Sequence, residues 1–234
     1  MGCCPVSATE IRRGRWCVSS LVEPLSWRDV VNKLAGWWLG LLLLSGAALA
    51  AEEGFDYQLV TPPVATQSPG RVEVVEMFWY GCPHCFHFEP IVNAWLAKQP
   101  ANVNFVRVPA VFRDSWEPLG RAFYVAETLG ILEKMHPILF QAVQVQRRRL
   151  ESETDLRAFF AESGVSSADF DRVYHSFGVD AKIRRARDLS QRYGIDGVPS
   201  VIINGKYRSN GTLVGGLEKL PGIMDKLVAK ESGH

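Results

Sequence analysis

The chain has no surplus of either charge. Its 26 basic and 25 acidic side chains leave a formal net charge of +1 over 234 residues. No like-charge run exceeds Arg147-Arg148-Arg149, which reads as a solvated helix end favoured by the helix dipole, and nothing makes an electrostatic case for nucleic acid. Cysteine is scarce. Five residues are too few for a disulfide scaffold and too unevenly spread for a zinc framework. No internal repeat is visible. With 47% hydrophobic and 22% charged residues the composition is globular, which excludes wholesale disorder. The length suits one ordinary domain, or one carrying an insertion.

Long apolar runs are equally rare, with one exception. Leu34 to Ala50, LAGWWLGLLLLSGAALA, spans 17 uncharged residues, at the short limit for crossing a bilayer. Lys33 precedes it, and Ala48-Leu49-Ala50 closes it with small residues two apart. A basic flank, an apolar centre and an A-x-A end describe a secretory signal peptide cleaved after Ala50, an uncleaved anchor being the alternative. Lipid attachment requires a cysteine where Ala51 stands. Residues 1–33 make the leader twice the usual length, as a start codon assigned too far upstream would, with Val30 or Val31 as alternative starts. Arg12-Arg13 lies too far from the apolar run for a twin-arginine signal. Cys3, Cys4 and Cys17 fall in the leader, so the mature part of 184 residues, net charge −1, keeps only Cys82 and Cys85. Two cysteines three apart in an exported chain point to redox chemistry. A structural staple would join distant segments, because short loops gain least from closure.

The mature chain changes pattern twice. A Pro- and Thr-bearing lead-in holds a short edge strand at Tyr57–Val60. Arg71 to Trp79 is β-branched or aromatic on both alternating faces, as a central strand is. Pro83 to Ala97 has helical apolar spacing, Pro83 suiting the first turn, and Val103 to Val108 is strand again. This strand–helix–strand unit is expected to be parallel and right-handed. From Ser115 the pattern is helical only, over 116–129, 131–146, 153–163, 167–177 and 179–193, with breaks at Gly130, Gly164 and Gly178. Ser152 and Asp155 approximate a capping box. Pro199 to Ile203, the Asn204-Gly205 turn and Lys206 to Ser209 form a hairpin, and Leu217 to Ala229 a closing helix. The order predicts an α/β core with an all-helical insertion: 51–114 and 194–234 as the two parts of one domain, 115–193 as the insert, and 1–50 as leader.

The chemistry gathers at Cys82-Pro83-His84-Cys85. A C-x-x-C segment between a buried strand and a helix sets the first sulfur at the helix N-terminus. There, unpaired N–H groups and the positive dipole end favour a thiolate. Cys85, one turn in, can close a small disulfide with it, and the His84 imidazole can donate to the Cys82 sulfur or attract it. A depressed thiol pKa makes Cys82 the attacking and leaving sulfur. A zinc half-site using His84 or His87 lacks a second cysteine pair, so no metal is expected; an inert disulfide is the other alternative. His87 reads as a helix-surface residue.

FWYGCPHCFHFEP, the later GVPSVIINGKY and the helical block between them resemble the DsbA family of periplasmic disulfide oxidases, over essentially all of residues 55–230. The resemblance implies a thioredoxin-like fold with an inserted all-helical domain, and no cofactor beyond the redox-active Cys82–Cys85 disulfide. That disulfide would be donated to reduced exported proteins and restored by a membrane quinone-linked oxidase of the DsbB type. Pro199, after Val198, matches the family's cis-proline, which would leave the Val198 carbonyl and amide to pair with an extended substrate; an ordinary trans proline also fits a strand start. Glu76 alternates with Val72, Val74 and Phe78 onto an apolar face. As a buried, unpaired acid it would exchange a proton with Cys85, and paired with a basic side chain, for example a lysine, it would merely solubilise the groove. Glu89 matches a family acid and equally a surface charge. The second structural disulfide of some relatives cannot form, the loop Asn210 to Gly216 is short, and the Asn210-Gly211-Thr212 sequon is explained by turn composition. Pro-His between the cysteines and Val198 before the proline favour an oxidase, acting as a monomer. A reductase or isomerase on the same fold, or a peptide-binding chaperone with dormant cysteines, are the competing functions.

Overall fold

The computed structural model describes residues 51–233. The expected signal peptide and its cleavage site lie outside the described residues, among which no helix is long and apolar enough to cross a membrane.

Strand β1 (Gln58–Leu59) is shorter than its expected span. The Val60 N–H still donates to the Lys206 carbonyl, but Pro62 and Pro63, which lack N–H groups, follow at once. Strand β2 (Val72–Phe78) is buried at all seven positions, which its β-branched and apolar composition on both faces foretells. Helix α1 (Pro83–Leu96) returns the chain to β3 (Val103–Pro109), parallel to β2 in a register that pairs Val72 with Val103 and Glu76 with Arg107.

A 3-10 turn at Asp114–Trp116 opens the helical stretch: α2 (Glu117–Thr128), α3 (Leu132–Phe140), α4 (Glu153–Glu162), α5 (Ser167–Tyr174) and α6 (Phe177–Arg192). The Ser152–Asp155 capping box is complete. The break expected at Gly178 falls instead at His175–Ser176. Ser176 accepts from the Val179 N–H, so the serine cap starts α6 and Gly178 lies within its first turn. Helix α3 runs on through a π-turn at Gln141–Val145. Arg148, in the basic run beyond it, forks onto Glu162 at 2.6 and 2.7 Å.

β4 (Ser200–Ile203) and β5 (Tyr207–Asn210) form the expected hairpin, with Asn204 and Gly205 both at positive φ. A Cβ on Gly205 would overlap the Val64 carbonyl, so glycine here lets the lead-in loop pack on the turn. Asn210 caps a short helix α7 (Gly211–Val214) by accepting from the Leu213 N–H at 2.8 Å, which accounts for an asparagine in that loop. A 3-10 turn at Leu217–Lys219 precedes α8 (Leu220–Glu231).

The sheet order is β1-β5-β4-β2-β3, antiparallel except for β2–β3. One face packs on α1 and α8 through Val74, Phe88, Trp95, Ile203 and Leu227. The other shares a continuous core with the helical stretch through Val75, Met77, Phe123, Leu139 and Phe160. The end of β2 and the start of α1 thus meet both layers.

Candidate active site

Cys82 is the N-cap of α1, with extended backbone, and its sulfur faces the first-turn N–H groups of His84 and Cys85. Pro83 takes the first helical position, where a missing N–H costs nothing. Both cysteines are free thiols, Cys82 half-buried and Cys85 buried. Gly81 is required just before them, because the Trp79 indole folds back over it and a Cβ would overlap the ring. That indole stacks on Trp116 at 4.0 Å and 2°, tying the active-site turn to the entry of the helical stretch.

The two sulfurs are electrostatically unlike. The Cys82 pKa falls from 9.0 to about 6, first because the Cys85 thiol donates to its sulfur, then through the backbone N–H groups of Cys85 and His84 and the His84 imidazole. Burial of the sulfur opposes this fall. Cys85 is pushed well above the ordinary thiol value by burial and by the neighbouring Cys82. Replacing Cys85 by alanine should therefore raise the Cys82 titration midpoint by at least about one pH unit, the largest cause of its depression being lost. Cys85→Ser, whose hydroxyl still donates, should keep the midpoint near 6. Thiolate absorbance against pH measures both, and an unmoved midpoint in the alanine variant would refute the assignment.

The other expected residues fall around this pair. His84 is exposed and lines a groove of about 630 Å³ with Val198, Pro199, Gln58, Leu213 and Leu217. The Val198–Pro199 peptide bond is cis. The Val198 carbonyl is not free as expected: the Cys82 thiol donates to it at 3.3 Å. Deprotonation of Cys82 removes that donor and leaves both lone pairs of the Val198 carbonyl to other partners.

Glu76 is fully buried on β2 and has the basic neighbour that the second reading allowed, an arginine. Arg107 on β3 brings Nε to 3.3 Å of Glu76 Oε2, yet neither Glu76 oxygen receives a hydrogen bond. The guanidinium is aimed elsewhere. Its Nε and an Nη donate to Glu89 at 3.3 and 3.1 Å, and the Nη also to Asn93 at 2.8 Å. Burial, and then the Glu89 charge, push the Glu76 pKa up to about 8, with Arg107 pulling it back only in part.

Glu89 is no surface charge. Its side chain is 13% exposed, and His136 Nε2 reaches it at 3.1 Å from α3. Burial works against its ionisation, but His136 and Arg107 outweigh it and hold the carboxyl below its ordinary value. His136 Nδ1 meets the Tyr80 hydroxyl at 2.7 Å, and Gln144, on the π-turn, donates to the Tyr80 carbonyl at 2.6 Å. Arg107, His136, Tyr80 and Gln144 were not read from the sequence. The available signals were an arginine interrupting an apolar strand and a lone histidine on the apolar face of α3.

The arrangement provides an accessible, acidified sulfur, a buried and basic one, and a buried carboxylic acid behind them. The DSBA-like thioredoxin domain model matches residues 73–227. The chain is 42% identical over 185 residues to the thiol:disulfide interchange protein DsbA of Pseudomonas syringae pv. tomato, covering 79% of this chain and 86% of that one. It is 37% identical over 196 residues to the corresponding protein of Pseudomonas aeruginosa, covering 82% and 93%. Among solved structures, Pseudomonas aeruginosa DsbA matches with a TM-score of 0.73 at 37% identity, covering 77% of this chain and 94% of that one. The oxidoreductase DsbA from Xylella fastidiosa matches with a TM-score of 0.73 at 31% identity, covering 78% and 98%.

Proposed function

The chain belongs to the DSBA-like thioredoxin domain family and is a thiol:disulfide oxidoreductase; from that premise we propose that it donates the Cys82–Cys85 disulfide to newly exported proteins in the periplasm. The observation that carries the direction of transfer is the contrast between the two sulfurs. An acidified Cys82 stabilises the reduced protein, and a disulfide whose reduced form is stabilised is the more oxidising one.

In this reading a substrate thiolate attacks the Cys82 sulfur, the Cys82–Cys85 bond breaks, and the electron pair leaves on Cys85. The buried Cys85 sulfur takes a proton from Glu76, which at neutral pH holds one. The second substrate thiolate then attacks its partner in the mixed disulfide, and Cys82 leaves as a thiolate. Two substrate thiols are oxidised and the protein's disulfide is reduced. His84 and the helix N-terminus favour the Cys82 thiolate, Pro83 starts the helix that carries it, and Val198 and Pro199 face the substrate across the groove. A membrane oxidase of the DsbB type, linked to quinone, would restore the disulfide. We place the helical insertion at 115–193, since the run of helices lies between β3 and β4.

Rapid alkylation of thiols in cell extracts tests the direction of transfer. Cys82 and Cys85 should be trapped predominantly as the disulfide, and a dithiol would make the protein a reductase. A biological effect undiminished in the Cys82→Ala and Cys85→Ala variants would make it a peptide-binding chaperone instead. N-terminal sequencing of the exported protein should start at Ala51, whereas a start upstream of Leu34 in membrane fractions would make the apolar run an anchor.

A further inference from the structure

The buried network behind the cysteines holds two carboxyls and one guanidinium. Glu76 on β2 and Glu89 on α1 both lie within 3.3 Å of Arg107 on β3. One cation in a dry setting compensates one carboxylate, so the second carboxyl is most stable carrying a proton. Which of the two carries it is decided by what else donates to them. Both Glu76 oxygens lack a donor, while Glu89 receives Arg107, Asn93 and His136.

We infer that His136 is a positioning residue for the thiol chemistry: by donating to Glu89 it assigns Arg107 to that carboxylate and leaves the proton on Glu76. The tautomer follows from the partners. An ionised Glu89 can only accept, so Nε2 carries the imidazole hydrogen and Nδ1 accepts from the Tyr80 hydroxyl. The ring is clamped edge-on by Phe78, Phe123 and Phe140, and it is buried. An apolar cage of this kind favours the neutral imidazole, which acts here as a fixed donor and not as a second cation. The charged and titratable groups facing the two carboxyls are Tyr80 after β2, Cys85 on α1, Arg107 on β3 and His136 on α3, with Glu133 acting on His136 from the same helix. Among the described residues Arg107 is the cation within ion-pair distance of both carboxyls, hydrogen-bonded to Glu89 alone of the two. His136 thereby lets the helical stretch set the protonation of a group on the sheet.

The inference rests on the reading of Glu76 as proton donor to Cys85, and the experiment separates the two. Carbon NMR of a glutamate-labelled protein follows each carboxyl, Glu76→Gln and Glu89→Gln supplying the assignments. In the native protein Glu76 should titrate near pH 8. In His136→Phe its midpoint should fall by at least about one pH unit, a tenfold rise in its ionisation constant, while that of Glu89 rises. His136→Gln, whose amide can still donate to Glu89, should restore most of the native midpoint. Tyr80→Phe, which frees Nδ1, gives a shift of the same sign should His136→Phe fail to fold. A Glu76 midpoint unchanged in the folded variants would overturn the inference. A pH profile of thiol exchange unchanged in Glu76→Gln would instead overturn the proton-donor reading, leaving the carboxyl titrations to decide the role of His136.

Discussion

Arg107→Met should destabilise the folded protein by about 3 kcal/mol at pH 7, the low end of the usual loss on breaking a buried ion pair, since the arginine is 17% exposed. Methionine keeps an apolar stem to pack near Phe105, whose ring lies 5.0 Å from the guanidinium carbon, so the loss isolates the charge. Without the cation, an ionised Glu89 keeps only His136 and Asn93 as donors, and the dry setting presses it to take up a proton. The sign with pH follows from the direction of its shift. The native pocket holds the Glu89 pKa below 4.5, so the stabilisation is present above that value and is lost as pH falls through the folded one. Urea unfolding should show the full loss at pH 7 and a much smaller one near pH 3. An equal loss at both would mean that Arg107 acts by packing alone.

The opposite sign is expected at Glu76. Its pKa of about 8 in the folded protein, against 4.5 for an ordinary glutamate, makes the folded state bind a proton that the unfolded state releases at neutral pH. Stability therefore falls as pH rises from 4.5 towards 8, by about 3 kcal/mol at pH 7. Glu76→Gln removes the titration while keeping the shape, and Arg107 retains Glu89 as its partner. The variant should gain about 3 kcal/mol over the native protein at pH 7, with the gain fading to nothing near pH 4. Its thiol exchange should lose the pH dependence contributed by the acid, because Cys85 must then take its proton from water. Thermal or denaturant unfolding at pH 4 and pH 7, with exchange rates between pH 5 and 8, reads both effects. A change in stability equal at the two pH values would show that Glu76 is ionised in the folded protein. A stabilised but sluggish variant would show the acid kept for exchange at the expense of stability.

The parts of the protein legible in its sequence are those set by neighbours along the chain. The apolar run of β2, Pro83 one residue after Cys82 and the helical spacing beyond it place a thiol at a helix N-terminus without any tertiary knowledge. Asn204-Gly205 does the same for the hairpin, because positive φ at both residues selects that turn. The helix boundary at Gly178 was misplaced because a serine cap, not a glycine, ends that stretch.

The proton chemistry behind the cysteines was legible only as a lone buried acid. Its partner is fixed by register: β3 lies parallel to β2 so that Glu76 stands opposite Arg107. Glu89 meets His136 across 47 residues, and Cys82 meets Val198 across 116. Periodicity says that Glu76 faces inward, but not what faces it, because a buried charge is defined by whatever other elements bring to it in three dimensions. Local chain order therefore places the reactive sulfur at a helix end and its resolving thiol one turn on, the two sources of its acidity. Tertiary packing alone decided which carboxyl keeps its proton, since that depends on how one guanidinium is shared between two strands, a helix and the histidine of another.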